Sequence, residues 1–374
     1  MAVETAGTTQ PETQEATGSP YERWVASTGV PVYRGYYVED VRTLELGEWP
    51  ERQCRARFLM LAGQEGISEA RVTEIAPGHT LPPVRMALDE IVYVVQGRGL
   101  TTLWGRQDDQ RITFEWQDHS VFVIPRTYAC QLSSTQGTTP ARLLHYNYLP
   151  VAMSVMPSAD FFFDNGYVDA AVVGGDGASL FSEARVATGP DANGHPFWSG
   201  NFFPDMRAWD RLVPYRARGA GGHAVFIEFP RAPITAHMSV FPARSYKKAH
   251  RHGPGVVIII PAGEGYSIMW EEGKEKIVIP WHEGSVFVPP NRWFHQHFNV
   301  GGDAARYFAF HSPSGLFPYS EKVEDLARDQ IEYCDEDPSI RQRFEIELGK
   351  RGLKSIMPDG AYRQRDYQWE YQEG

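Results

Sequence analysis

Cysteine is scarce in this sequence of 374 residues. Its three cysteines, Cys54, Cys130 and Cys334, are odd in number and widely separated. Such spacing forms neither a disulfide framework nor a cysteine-based zinc cluster. We therefore do not expect thiol chemistry to carry the function.

The sequence also lacks long apolar runs and an excess of basic residues. Its longest apolar stretch, 256–262, is far too short to span a bilayer, and residues 1–20 lack the charged start and apolar core of a signal peptide. Lys and Arg number 36 against 47 Asp and Glu, and the net charge of −11 disfavours nucleic acid and anionic membranes as partners. We expect a cytoplasmic protein with no membrane and no nucleic-acid partner.

Apolar and aromatic residues are plentiful, at 42% and 13% of the chain, and this composition predicts a folded protein. Because a single core stops growing near about 250–300 residues, the chain length predicts more than one domain. Residues 1–20 contain almost no bulky apolar groups, which predicts a disordered tail.

Short apolar or alternating runs separated by turn residues fill two stretches, 71–150 and 222–311. This spacing predicts β-strands of a sandwich or barrel. The turn residues of the two stretches align, with 92–99 over 258–265 and 116–125 over 281–290, so we infer an internal duplication.

The predicted organisation therefore has five parts. After the tail come an N-terminal barrel (21–150), a connector (151–221) and a C-terminal barrel (222–315). The last part, 316–374, has apolar residues at helical spacing interrupted by Pro338, which predicts a C-terminal helical segment.

Histidines form the most informative local pattern. On a strand, His250 and His252 share one face, and His295 on a neighbouring strand can complete a triangle around one metal ion. A His-X-His pair alone is more often a partly exposed strand face than a metal site. The third histidine makes the metal site the preferred interpretation.

These residues resemble the motifs of the cupin family. Gly284, Pro290, His295 and Asn299 match the second cupin motif, with Arg292 in place of its inner glycine. His250 and His252 match the first motif, with Gly263 at its turn. The chain as a whole is similar to a bicupin, which implies an all-β fold of two double-stranded β-helix (jelly-roll) barrels, a helical C-terminal appendage and a homo-oligomer.

Two departures from the family pattern matter. Val256 and Val257 stand where the family usually has a carboxylate ligand, so the second barrel offers three neutral imidazoles. In the first repeat the equivalent positions fall on Pro83, Arg85, Glu90 and Cys130. We expect the first barrel to be a metal-free scaffold, with Glu90 hydrogen-bonded and Cys130 an inert core thiol.

The three-histidine set is similar to that of gentisate dioxygenase and its salicylate relatives, although the metal of that group usually sits in the first barrel. The resemblance implies an Fe(II) dioxygenase that acts on a hydroxylated aromatic carboxylate with dioxygen, and a role for His297 in acid/base steps. Three neutral ligands leave the full charge of the ion uncompensated, which favours an anionic chelating substrate.

Several residues are candidate substrate contacts. Arg244, Tyr246 and Lys248 precede His250 at a period of two, so a straight strand carries them on the inner face, whereas a bulge reverses their direction. The other candidates are Arg292, Arg306 and Trp270, and for the tryptophan plain core is the alternative.

Two alternatives to the dioxygenase stay open. One is a non-oxidative metal-dependent cupin enzyme, an isomerase, lyase or hydrolase with Mn, Ni or Zn at the same histidines. The other is a non-catalytic bicupin that binds a ligand. Zinc ranks below iron because the sequence identifies no acid/base partner for hydrolysis.

Overall fold

The computed structural model describes residues 18–106, 110–163, 165–172, 177–187, 197–313 and 328–371. Most of the predicted tail at 1–20 and the first part of the predicted helical segment, through residue 327, lie outside the described residues.

The N-terminal half forms a helix followed by strands. These are α1 (Pro20–Ser27), β1 (Val32–Gly35), β2 (Tyr37–Val38), β3 (Gly47–Trp49), β4 (Cys54–Leu61), β5 (Glu69–Ile75), β6 (Val84–Arg85), β7 (Glu90–Gln96), β8 (Gly99–Trp104), β9 (Ile112–Trp116), β10 (Val121–Ile124), β11 (Ala129–Ser134) and β12 (Ala141–Asn147). Ser19 and Glu22 form a capping box that starts α1.

The connector contains short elements. These are α2 (Leu149–Val155), α3 (Ala159–Phe163), α4 (Gly177–Leu180), β13 (Arg185–Ala187), β14 (Phe197–Ser199), β15 (Phe202–Phe203) and β16 (Val213–Pro214).

The C-terminal half repeats the strand pattern and ends in a helix. Its elements are β17 (His223–Glu228), β18 (Thr235–Phe241), β19 (Ala249–His250), β20 (Val257–Ala262), β21 (Glu264–Trp270), β22 (Ile277–His282), β23 (Val286–Phe287), β24 (Phe294–Asn299), β25 (Ala305–His311), β26 (Gln330–Ile331) and α5 (Pro338–Gly349). Asp337 caps α5 and Pro338 occupies its first turn, so this proline starts the helix.

Each half is a barrel made of one large and one small sheet. In the first barrel the order β1-β4-β5-β12-β7-β10-β15 faces β6-β11-β8-β9. In the second, β13-β14-β17-β18-β25-β20-β23-β2 faces β22-β21-β24-β19-β26. This mostly antiparallel arrangement is the tandem jelly-roll, or bicupin, architecture, so the predicted fold class is confirmed.

The two barrels pack against each other through their large sheets. Along β25, Phe308 and Phe310 face the first barrel, while Tyr307 and Ala309 face the interior of the second. Strands such as β20 are apolar along their whole length because both faces are buried.

Two strand pairings connect segments from different parts of the chain. Strand β2 of the N-terminal half pairs with β23 of the second barrel, and β15 of the connector pairs with β10 of the first. These pairings cross the predicted boundaries at residues 150 and 222 and fix the orientation of the two barrels.

Equivalent glycines mark the duplication. Gly97 and Gly263 both have positive φ. A Cβ atom on Gly97 would lie 2.8 Å from Ala141 Cα, and a Cβ atom on Gly263 would lie 2.7 Å from Ala305 Cα. Only glycine fits such a position without strain. The turn residues that align the two halves of the sequence therefore form the same turn in both barrels.

None of the helices in the described part of the chain is long and apolar enough to cross a membrane.

Candidate metal centre

Three histidine side chains converge inside the second barrel. His250 and His295 are paired directly across the antiparallel strands β19 and β24, and His252 follows two residues after His250. One ligand nitrogen from each ring lies within 4.8 Å of the other two. Among the described residues this is the one group of His, Cys, Asp or Glu side chains that could hold a metal ion. The set fits a single ion with neutral nitrogen ligands.

Main-chain carbonyl groups orient all three rings. Nδ1 of His250, His252 and His295 donates to the carbonyl oxygens of Lys248, Gly253 and Trp293, at 3.3, 2.8 and 3.2 Å respectively. Because a carbonyl oxygen can only accept, each Nδ1 carries the proton and each Nε2 keeps its lone pair. This is the usual outer support of a metal-binding histidine.

Burial keeps the rings of His250 and His295 neutral. It lowers the pKa of His250 well below the usual range, and the positive charge of Arg218 adds to this effect. Burial likewise lowers the pKa of His295, with a further contribution from His252. Because a metal ion binds the unprotonated ring nitrogen, neutral imidazoles suit ligation.

A β-bulge decides which side chains before His250 face the interior. Tyr246 is bridged to Phe298, and His250 is bridged to His295. Four residues separate the first members of these two pairs, but only three separate the second members, so the segment before His250 contains one extra residue. An extra residue on one strand reverses the alternation of side chains between the two faces. Lys247 therefore points into the barrel.

The sequence left the direction of Tyr246 and Lys248 open between a straight strand and a bulge, and the bulge turns both side chains outward. Tyr246 belongs to a hydrophobic cluster between the outer face of the small sheet and the C-terminal segment, and its hydroxyl donates to Glu336. Lys248 pairs with Glu332 at 2.6 Å. Arg244 lies in the preceding turn with φ of 58°, and no contact with the three histidines is found for it among the described residues.

The remaining predicted substrate contacts also lie away from the three rings. Arg292 extends outward to Asp329, and Arg306 donates to the carbonyl oxygen of Trp209 in the connector at 2.6 Å. Trp270 stacks on Phe294 on the outer face of its sheet. The strand alternation of β21 and β25 sends Trp270 and Arg306 outward, and Arg292 lies in the turn before β24 with φ of 61°, so the structure does not bring these three side chains to the histidine rings.

Two buried cations that the sequence argument did not assign lie near the histidines. Lys247 is fully buried, donates to Ser239 and lies 3.4 Å from the hydroxyl of Tyr307. Arg218 donates to Gln330 at 2.8 Å, and its charge lowers the pKa of His250. Regular strand alternation predicts that Lys247 points outward, so the bulge prevented its identification from the sequence. Arg218 lies in the connector, and its distance in the chain from the histidines matches no ligand motif.

His297 lies beside the three rings on the same inner face. Its ring centroid is 5.6 Å from that of His295, and its Nδ1 is 2.8 Å from Ser267 Oγ, which also accepts from Trp281 Nε1 at 3.1 Å. Burial, together with the charge of Lys247, lowers the pKa of His297 to about 3. The side chain is a neutral imidazole fixed by a hydrogen-bond chain.

The first barrel has different residues at the equivalent strand positions. Cys130 is paired with Val84 there, as His295 is with His250 in the second barrel. The predicted alignment on Pro83 and Arg85 is therefore wrong by one residue. Arg85 instead donates to main-chain carbonyls. Burial raises the pKa of Cys130 well above its usual value, as fits an unreactive core thiol.

A charged network is buried in the first barrel. Arg71 pairs with Glu69 and, at 2.6 Å, with Glu90. Glu90 also accepts from Asn147 at 3.0 Å and lies 2.8 Å from Nδ1 of His145. Although burial raises the pKa of Glu90, the charge of Arg71 and the neighbouring His145 lower it to about 2. The expectation that Glu90 is hydrogen-bonded is confirmed.

No protein-family model matches the chain, and no curated protein matches it. Solved structures with a similar fold include an oxalate decarboxylase of Lactobacillus farciminis in a formate complex, 13% identical over 74% of this chain and 86% of that one, with a TM-score of 0.48. An oxalate decarboxylase variant of Bacillus subtilis is 11% identical over 93% of this chain and 90% of that one, with a TM-score of 0.49. Vicilin of hazelnut, Corylus avellana, is 12% identical over 74% of this chain and 84% of that one, with a TM-score of 0.43. Similarity at this level identifies neither the metal nor the substrate of this protein.

Proposed function

We propose that the protein is a metal-dependent enzyme with one mononuclear centre, held by His250, His252 and His295 of the second barrel. The observation that carries this proposal is the orientation of the three imidazoles, whose Nδ1 hydrogens are directed to main-chain carbonyl groups. A bound divalent ion would supply Lewis-acid or redox chemistry at this point.

A small carboxylate able to chelate the ion is the proposed substrate. The ligand set contains no carboxylate, so the charge of a divalent ion stays uncompensated. Lys247 and Arg218 add positive charge, since they lower the pKa of His297 and His250. An anion is attracted to such an interior, and two carboxylate or hydroxyl oxygens fix its orientation.

His297 is the proposed proton acceptor and donor, because a bound anionic substrate would raise its pKa from the low value set by burial and Lys247. Its neutral ring is held through Nδ1 by Ser267, which leaves Nε2 for exchange of a proton with a substrate. The sequence ranked zinc below iron because it identified no acid/base partner for hydrolysis. A fixed imidazole beside the ligands supplies that partner and supports a non-oxidative reaction with Mn, Ni or Zn.

An Fe(II) dioxygenase of hydroxylated aromatic carboxylates stays the rival within the same centre. Oxidation also needs a chelated substrate and deprotonation of a hydroxyl group, so His297 serves both reactions. The two differ in their requirement for dioxygen, which makes oxygen dependence the deciding measurement.

The test uses the purified full chain loaded separately with Mn(II), Zn(II) or Fe(II). Oxalate, the smallest dicarboxylate chelator, is supplied without oxygen and its consumption is measured. Salicylate and gentisate are supplied with oxygen in an oxygen electrode. Anaerobic turnover supports the non-oxidative class, and oxygen uptake with iron supports the dioxygenase. Metal-independent turnover, or turnover unchanged in the His250→Ala variant, contradicts the proposal.

Replacement of His297 by Gln is expected to lower kcat by about 10²–10⁴-fold, because general acid/base catalysis contributes a factor of that size. Metal content is expected to stay at the wild-type level, as measured by elemental analysis. Ser267→Ala removes the 2.8 Å contact to Nδ1 and the acceptor of Trp281 Nε1 but keeps the imidazole, and is expected to lower kcat less. Equal activity in the His297→Gln variant and wild type would exclude His297 from proton transfer.

Replacement of Lys247 by Met is expected to raise the KM for an anionic substrate about tenfold or more, because a charge-assisted contact contributes about 1.5–3 kcal/mol. Methionine fills the same space, so the melting temperature is expected to change little. The matched control is Lys276→Met, which removes a half-exposed lysine that pairs with Asp337 at 3.1 Å outside the barrel. An unchanged KM in the Lys247 variant would remove this residue from substrate binding.

The homo-oligomer implied by the cupin resemblance stays a prediction. Analytical ultracentrifugation of the full chain tests it, since a monomer at micromolar concentration contradicts it. Dioxygen as a partner depends on the reaction class and stays part of the rival proposal.

A further inference from the structure

A cavity separate from the three histidines lies inside the first barrel. Its volume is about 80 Å³, several times the roughly 10–15 Å³ that a cavity needs on the same measure to hold one water molecule. The walls are mostly apolar. They are formed largely by Leu81, Val84, Met86, Ile124 and Leu132.

The polar groups that line this cavity and lack a partner are hydrogen-bond donors. Within the described part of the chain, the buried indole N–H of Trp49 has no acceptor, and neither has Nε of Arg71. The carboxylate of Glu90 also lines the cavity, but its oxygens already interact with Arg71, Asn147 and His145. Since buried donors normally have acceptors, the cavity is suited to a molecule that supplies acceptor atoms.

Arg52 adds a positive charge at the same cavity. Its guanidinium carbon lies 5.6 Å from the ring centroid of Trp49 and 5.4 Å from that of Phe163. Over the described part of the chain it forms no ion pair with Asp or Glu and no side-chain hydrogen bond, whereas Arg71 is paired with Glu69 and Glu90. Two aromatic rings thus hold an arginine whose planar fork is available to a carboxylate.

We propose that the first barrel binds a short-chain monocarboxylate. Its carboxylate accepts from Arg52 and Trp49, and its hydrocarbon chain packs against the apolar walls. Inorganic phosphate or sulfate fits less well, because most of its oxygens would face side chains that cannot donate. This site is distinct from the proposed metal centre, and its occupation requires no metal ion.

Binding of butyrate to the intact protein tests the proposal. Titration calorimetry and saturation-transfer NMR of the butyrate methyl group are expected to report binding that is retained in the presence of a chelator. Arg52→Gln is expected to weaken binding about tenfold or more, and Trp49→Phe severalfold, since each removes a donor. Butylammonium, which has the same chain and the opposite charge, is expected not to bind.

Matched variants separate this site from the metal centre and from general effects. Arg111→Gln removes an exposed arginine that stacks on Trp104 at 4.6 Å, and is expected to leave the affinity for butyrate unchanged. His250→Ala is also expected to leave it unchanged, so a failure of the metal centre does not affect this test.

A third variant, Leu132→Phe, fills the cavity and is expected to block butyrate while Arg52 remains, which keeps the test valid if Arg52→Gln does not fold. Absence of butyrate binding to the wild type overturns the proposal. So does loss of binding in His250→Ala with retention in Arg52→Gln, or tighter binding of phosphate than of butyrate.

Discussion

Replacing His295 with Ala is expected to reduce metal affinity by more than about 100-fold. Loss of a partner that merely orients a metal-binding histidine already costs about 10–100-fold, and His295 would supply one of three ligand nitrogens. His295 is paired directly with His250 across β19 and β24. Elemental analysis after dialysis against a weak chelator is expected to find metal in the wild type and almost none in the variant.

The matched control is His79→Ala. His79 lies in the first barrel, and among the described residues no side-chain hydrogen bond is found for its ring. We expect this variant to retain the wild-type metal content and turnover. Equal metal content in the His295→Ala variant and wild type would show that the ion, if present, is bound elsewhere.

Replacing Arg71 with Met is expected to lower the free energy of unfolding by about 3–5 kcal/mol. The substitution leaves the carboxylates of Glu69 and Glu90 in the first barrel without the guanidinium that pairs with both. Glu69 is fully buried and Glu90 is 4% exposed, so neither can recover its hydration without local opening of the barrel. Urea unfolding followed by circular dichroism measures the change.

Arg34→Met is the control for this stability effect. The side chain of Arg34 is 64% exposed and pairs with Glu22 at 3.7 Å. Exposed pairs contribute about 0–1 kcal/mol, so the control is expected to unfold close to the wild-type urea concentration. A loss below about 1 kcal/mol for Arg71→Met would contradict the description of the buried network.

The barrels and the shared face of the histidines could be predicted from the sequence because both depend on local periodicity. Alternation along strands and glycine turns such as Gly97 and Gly263 specify where each strand ends. The direct pairing of His250 with His295 agrees with the motif spacing. Such features depend on residues that are close in the chain or repeated within it.

The lining of the metal centre could not be predicted in the same way. A single extra residue between Tyr246 and His250 reverses which side chains point inward, and no residue type in that segment requires a bulge. Arg218 reaches the centre from the connector, and β2 pairs with the opposite barrel. These placements depend on packing between distant segments, which periodicity does not encode.

The buried network of the first barrel was also beyond sequence reasoning. Arg71 and Glu90 lie on different strands, 19 positions apart, and become partners only when β5 and β7 flank β12. The cupin motif positions point to Glu90 but do not identify its partner. An apolar strand that contains one carboxylate indicates a buried polar group without identifying what it contacts.

Anomalous X-ray diffraction from crystals of the metal-loaded wild-type protein tests the central claim most directly. We expect one strong anomalous peak per chain, coordinated by Nε2 of His250, His252 and His295, and no peak in the first barrel. A map without a peak at these three nitrogens, or with the metal bound between Glu90 and His145, would contradict the proposed centre.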